Sequence, residues 1–111
     1  MSTIFSKIIS GDLPSDKVYE SEILLAIKDI SPKAPVHLLI LPKKAYASFQ
    51  EIPKEDLGIL EEIGEVAQKL ATEFNVADNY RLLTNIGTKA GQSVFHLHFH
   101  LIGGKELGPM A

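Results

Sequence analysis

The chain has no cysteine and no tryptophan among its 111 residues. Without thiols there is no disulfide, no thiolate nucleophile and no zinc–thiolate centre, a composition that fits a reducing compartment. No stretch approaches the ~20 consecutive apolar residues of a membrane-spanning helix, and the N-terminus lacks the basic segment and apolar core of a signal peptide. Positive charge never accumulates. The 11 basic and 14 acidic side chains are mixed along the chain for a net charge of -3, and the longest basic run is Lys43-Lys44. Duplex nucleic acid calls for several clustered phosphate-neutralising cations, so the pattern argues against that partner. A single local pocket for one nucleotide stays compatible with it. The expectation is a soluble, cytoplasmic protein with neither a membrane nor a duplex as partner.

What is present is enough apolar material, 45% of the chain, for one domain over residues 1–111 and too little for two. Ile4 and Ile8 would share a face of a short leading helix, ended by the turn-rich residues 10–15. Residues 18–20 and 23–27 read as a hairpin around Ser21-Glu22, and two prolines, Pro32 and Pro35, break structure after it. Residues 36–41 form a nearly continuous apolar strand in which His37 is the anomaly. Pro53 suits a first helical position, and Leu57, Leu60, Gly64, Ala67, Ala71 and Phe74 recur at helical spacing, with Gly64 placed to allow close packing on a sheet. Residues 80–85 and 94–102 are the last two strands. Five strands with one long helix, and no regular alternation of a helix between every pair of strands, predict an α+β fold with an antiparallel sheet.

Three of the four histidines fall within five residues, at 96, 98 and 100. On a strand their period of two puts them on one face, ~6.6 Å apart, with Phe95, Leu97, Phe99 and Leu101 on the other. Clustered imidazoles repel when charged and need partners when buried, so the pattern points to a site. Metal ligation is one reading, with His37 as a further ligand, but no thiolate or well-placed carboxylate completes a metal motif. Nucleophilic chemistry fits better. A neutral imidazole whose one N–H is held by a carbonyl keeps a lone pair on the other nitrogen, and His98, between two histidines, is the candidate to attack phosphorus. Gly91-Gln92-Ser93 precedes the triplet. Its glycine lets backbone approach an anion, and its amides and hydroxyl can bind one, although no Walker sequence is present.

At this point the sequence resembles the histidine-triad family, in particular its HINT branch. The resemblance rests on His96-Leu97-His98-Phe99-His100-Leu101-Ile102, on Gly91-Gln92-Ser93-Val94-Phe95 before it, and on residues 29–44 around His37; it extends from Ile4 through Gly104. It implies a HIT-like fold of a five-stranded antiparallel sheet, one long helix and a short N-terminal helix, with the sheet extended across a homodimer. It implies a purine nucleoside phosphoramidase that needs no cofactor or metal and forms a nucleotidyl-histidine intermediate on His98. His96 would align His98 through its carbonyl and extend the polar network toward His37, His100 would polarise a phosphate oxygen, and Ser93 would contact the leaving group. Asp29 would accept the ribose hydroxyls, and Asn85, Gly91, Gln92 and Ser93 would face phosphate or leaving-group atoms. Ile4, Phe5, Ile8, Leu13, Ile27 and Ile30 would form the nucleoside pocket. Ile27 stands where an aromatic is common, Ala45 where many relatives have histidine, and the tail lacks the tryptophan seen in many. Two other functions share these residues: hydrolysis of dinucleoside polyphosphates, and a nucleotide-responsive scaffold in which catalysis is incidental.

Overall fold

The computed structural model describes residues 2–110. Helix α1 spans Ile4–Ser10 and starts at Thr3, whose hydroxyl accepts from Ser6 N–H while the Ser6 hydroxyl accepts from Thr3 N–H, satisfying two otherwise orphan donors. Gly11 ends it at φ 88°, a conformation that costs an L side chain energy and glycine nothing. The buried pair on α1 is Phe5 and Ile8; Ile4 is 44% exposed, so the inward face lies one position from the one predicted.

Strands β1 (Lys17–Glu20), β2 (Leu24–Lys28), β3 (Val36–Pro42), β4 (Tyr80–Leu83) and β5 (Phe99–Gly103) form one sheet in the order β1-β2-β3-β5-β4. Every neighbouring pair is antiparallel, as the lack of a helix between every pair of strands predicts. Strand β3 is central and almost wholly buried. Strand alternation then sorts its side chains. Leu38 and Ile40, with Leu24, Ala26 and Leu101 of the flanking strands, meet Ile63, Val66, Ala67, Leu70 and Ala71 of helix α2 (Ile59–Glu73). Leu39 and Leu41, with Leu25 and Ile27, meet Phe5 and Ile8 of α1. His37 belongs to the α1 side by the same parity, which is why an apolar strand carries it.

Three expectations for the long helix change. Pro53 precedes a short 3₁₀ turn, Lys54–Asp56, instead of opening α2, and Leu57 lies outside α2 and is 40% exposed. Gly64 is half-buried, and a Cβ added there would meet nothing within 4 Å, so close packing does not require the glycine. The larger correction concerns the last strand. Residues 94–98 are outside the ladder, because the segment bonds to the loop after β3 instead. Leu97 N–H donates to the Tyr46 carbonyl at 2.7 Å, and Phe95, expected on a buried face, is 48% exposed. Leu97 packs with Tyr46 and Ile52 in a small third cluster of its own.

Candidate active site

The histidines still converge, by a different route from a straight strand. The β3–β5 register pairs Leu39 with His100 and His37 with Ile102, so His37 and His100 are diagonal neighbours on the α1 face. Their rings lie 5.2 Å apart, and His98 follows at 5.1 Å from His100. Phe5 of α1 presents an edge to His98 at 4.8 Å and to His96 at 6.1 Å. The leading helix therefore supplies one wall of the histidine cluster.

His98 Nδ1 lies 2.8 Å from the His96 carbonyl. A carbonyl can only accept, so the proton sits on Nδ1 and Nε2 keeps its lone pair. Burial holds the ring below its ordinary value of 6.5, with the His96 carbonyl opposing, so the neutral form prevails near neutrality. The Thr84 hydroxyl donates to the His98 carbonyl at 2.8 Å and fixes the backbone. Thr84 was not apparent as a site residue in the sequence, since its role depends on β4 ending beside β5.

His96 is buried and donates from Nε2 to the Pro42 carbonyl at 2.7 Å, leaving Nδ1 without a partner. Its ring serves as an anchor to the last residue of β3, and the expected extension toward His37 does not run through it. That link passes through His100: His37 Nε2 meets His100 Nδ1 at 2.9 Å. Burial lowers His37, with Asp29 opposing. His100 is lowered to about 4 by burial first, then by His98 and His37.

Asp29 accepts from Ser31 N–H through Oδ1 at 2.8 Å and places Oδ2 3.4 Å from His37 Nε2. It caps a turn and faces the histidines at once. Asp29, His37 and His100 bring one ligand atom each within 4.8 Å of one another, a spacing that could hold a cation. The Lys33 N–H donates to His37 Nδ1, however, which places the His37 proton on Nε2 and removes the lone pair a cation would need there.

Gln92 departs from expectation. Its side chain is buried: Oε1 accepts from Gly87 N–H at 2.9 Å, and Nε2 donates to the carbonyls of Ala47 at 2.8 Å and Val94 at 3.1 Å. All its donors are used, so the side chain clamps two loops together and does not face a ligand. Gly91 has φ 103°, and a Cβ there would come 3.3 Å from the Asn85 amide, so these two sit together. Ser93 is exposed and makes no hydrogen bond among the described residues. Among the apolar residues predicted to hold a nucleoside, Phe5, Ile8 and Ile27 spend nearly all their surface in the core. Ile4, Leu13 and Ile30 present free apolar surface, Ile30 being 90% exposed. A cleft of about 1040 Å³ at the C-terminal end of α2 has Asn75, Arg81 and Lys105 in its wall and no histidine.

The chain matches the family model described as "Scavenger mRNA decapping enzyme C-term binding" over residues 2–110. It is 50% identical over 109 residues to a HIT-like protein of Chlamydia pneumoniae, covering 98% of this chain and 99% of that one. It is 44% identical over 109 residues to the purine nucleoside phosphoramidase of Escherichia coli strain K12, covering 97% and 92%. Among solved structures, a HIT family hydrolase from Clostridium thermocellum superimposes with a TM-score of 0.93 at 50% identity, over 97% of this chain and 95% of that one. A histidine triad protein from Clostridium difficile gives 0.93 at 41% identity, over 100% and 97%. No helix among the described residues is long and apolar enough to cross a membrane. Sequence, sheet order and the clustered imidazoles agree, and the chain belongs to the histidine-triad (HIT) family.

Proposed function

We propose that this HIT-family enzyme is a purine nucleoside phosphoramidase acting on adenosine or guanosine 5′-phosphoramidates. One observation carries the reading: the His98 proton is held on Nδ1 by the His96 carbonyl, which leaves Nε2 as the nucleophile. Nε2 attacks the α-phosphorus, the phosphorus–nitrogen bond to the leaving amine breaks, and that nitrogen takes up a proton from solvent at the side where Ser93 stands. The nucleotidyl group then rests on His98. Water attacks the same phosphorus and gives a proton back to solvent, the bond to His98 breaks, and nucleoside monophosphate leaves with His98 neutral again. His100 donates to a phosphate oxygen as charge develops. Asp29 accepts from the ribose hydroxyls with the lone pairs that Ser31 leaves free, and Asn85 with the Gly91 backbone lies on the phosphate side.

The 44% identity to a purine nucleoside phosphoramidase supports the substrate class. In this reading the enzyme needs no metal or cofactor, works as a homodimer and resides in the cytoplasm. The test is to quench turnover of an adenosine phosphoramidate and map the phosphorus adduct by mass spectrometry. Attachment to His98, with turnover lost in His98→Ala by a factor of ~10³ or more, is expected for removal of a covalent nucleophile. An adduct elsewhere, or unchanged turnover in that variant, sinks the mechanism. A decisive preference for diadenosine polyphosphates sinks the substrate class. Binding of purine monophosphates with no turnover of any amine leaving group would make the protein a nucleotide-responsive scaffold.

A further inference from the structure

Proton positions in this site can be followed outward from the backbone. An amide N–H can only donate, and Lys33 N–H lies 3.0 Å from His37 Nδ1. That nitrogen therefore carries no hydrogen, and the proton of the neutral ring is on Nε2. Asp29 Oδ2, 3.4 Å from Nε2, favours a hydrogen at the same place, since a lone pair facing a carboxylate would be repelled. His37 is buried, with 3% of its side chain exposed, so no water can replace these partners if the ring turns over. The next contact follows by the same logic. His37 Nε2 and His100 Nδ1 are 2.9 Å apart, and one of the two must accept. His37 already donates, so His100 Nδ1 accepts and the proton of neutral His100 is on Nε2.

We propose that the Lys33 amide, acting through His37, holds His100 as an Nε2–H donor, and that His37 is a positioning residue that keeps its proton throughout the reaction. Two adjacent rings are thereby set in opposite tautomers. His98 has its proton on Nδ1 and its lone pair on Nε2, whereas His100, 5.1 Å away, has the reverse. One ring can attack phosphorus while its neighbour donates to a phosphate oxygen, and neither needs to change protonation when substrate arrives. This use of the tautomers rests on the phosphoramidase reading; the tautomers themselves do not. A chain of histidines is otherwise naturally read as a proton shuttle, in which His37 would exchange its proton with His100 during turnover. The Lys33 N–H opposes that, because a His37 that had passed on its Nε2 proton would be an anion, or would need a hydrogen on Nδ1 where a donor already points.

The experiment has two arms. In the first, histidine-¹⁵N-labelled protein without nucleotide is recorded at neutral pH in a long-range ¹H–¹⁵N correlation, with rings assigned by single variants. Nε2–H forms are expected for His37 and His100, and an Nδ1–H form for His98. An Nδ1–H or rapidly averaging His100, or a doubly protonated His37, overturns the proposal. In the second arm, His37→Gln keeps an N–H donor near the Nε2 position without a titratable group, and His37→Leu removes the donor. The expected result is a kcat for His37→Gln at least ~10-fold above that of His37→Leu, in the range set by one transition-state hydrogen bond, with KM similar in both. Equal loss in the two variants supports a shuttle and overturns the positioning role. If either variant fails to fold, the wild-type spectrum alone decides. If the wild-type protein turns over no phosphoramidate, the functional reading fails while the spectrum still tests the tautomers.

Discussion

At the scale of single residues, the site depends on imidazoles that stay neutral. Burial holds His37, His96, His98 and His100 below 6.5, His100 falling to about 4. The sign for the proposed mechanism is direct: protonation of His98 would remove the lone pair that mechanism uses, so kcat/KM should hold through neutrality and fall only as pH drops below 6.5. A pH–rate profile with an acid limb centred at or above 6.5 would count against His98 as assigned. Stability follows the same direction. The unfolded chain takes up these protons first, so the contribution of the neutral rings is complete above 6.5 and is lost as pH falls from there toward about 4. Denaturant titrations at a series of pH values should show that slope. Gln92 supplies a second residue-scale prediction. Gln92→Glu keeps the shape but turns an acceptor toward the Ala47 and Val94 carbonyls, where the amide donated. A loss of about 3 kcal/mol is expected from equilibrium unfolding, together with lower kcat as the loop before His98 loosens.

At the scale of elements, the sheet is held between two unequal layers. Helix α2 covers one face with five buried side chains, and α1 covers the other with Phe5 and Ile8. Leu70 is 0% exposed at the centre of the α2 layer, and Leu70→Ala should cost about 3 kcal/mol, read from the denaturation midpoint. The active-site tautomers should survive that change, since α2 meets the face opposite His37 and His100. The segment from Gln92 to His98 behaves as an element of its own. It is tied to the end of β3 by His96 to Pro42, and to the loop after β3 by Gln92 to Ala47 and Leu97 to Tyr46. Those three bonds, and no strand pairing, place His98 over Phe5.

At the scale of the whole molecule, the sheet has two edges, β1 and β4. Strand β1 carries Lys17 and Glu20, which pair with each other at 3.1 Å, and charges of this kind discourage edge-to-edge pairing. Strand β4 offers Tyr80, Arg81, Leu82 and Leu83, with Leu82 40% exposed. If the proposed homodimer extends the sheet, β4 is the edge on which it forms. Sedimentation equilibrium at micromolar concentration should give a dimer, and Leu82→Asp should shift it toward monomer. A monomer in the unaltered protein at those concentrations would remove this assembly.

The amino-acid sequence by itself determined the α+β class, the antiparallel sheet, the approximate place of each element except the start of the last strand, and the histidines as the candidate site. Periodicity is a local property, and the HxHxH spacing with His37 in an apolar strand is legible without coordinates. What only the tertiary structure decided is where hydrogen-bond donors point. Gln92, read as a ligand contact, is consumed by its neighbour Val94 and by Ala47 across 45 residues of chain. His96 reaches Pro42 across 54, and His37 reaches His100 across 63. A side chain's type states what it can donate or accept; its partner is set by which distant backbone groups folding brings within 3 Å, and that distance is not written in the spacing of residues along one strand.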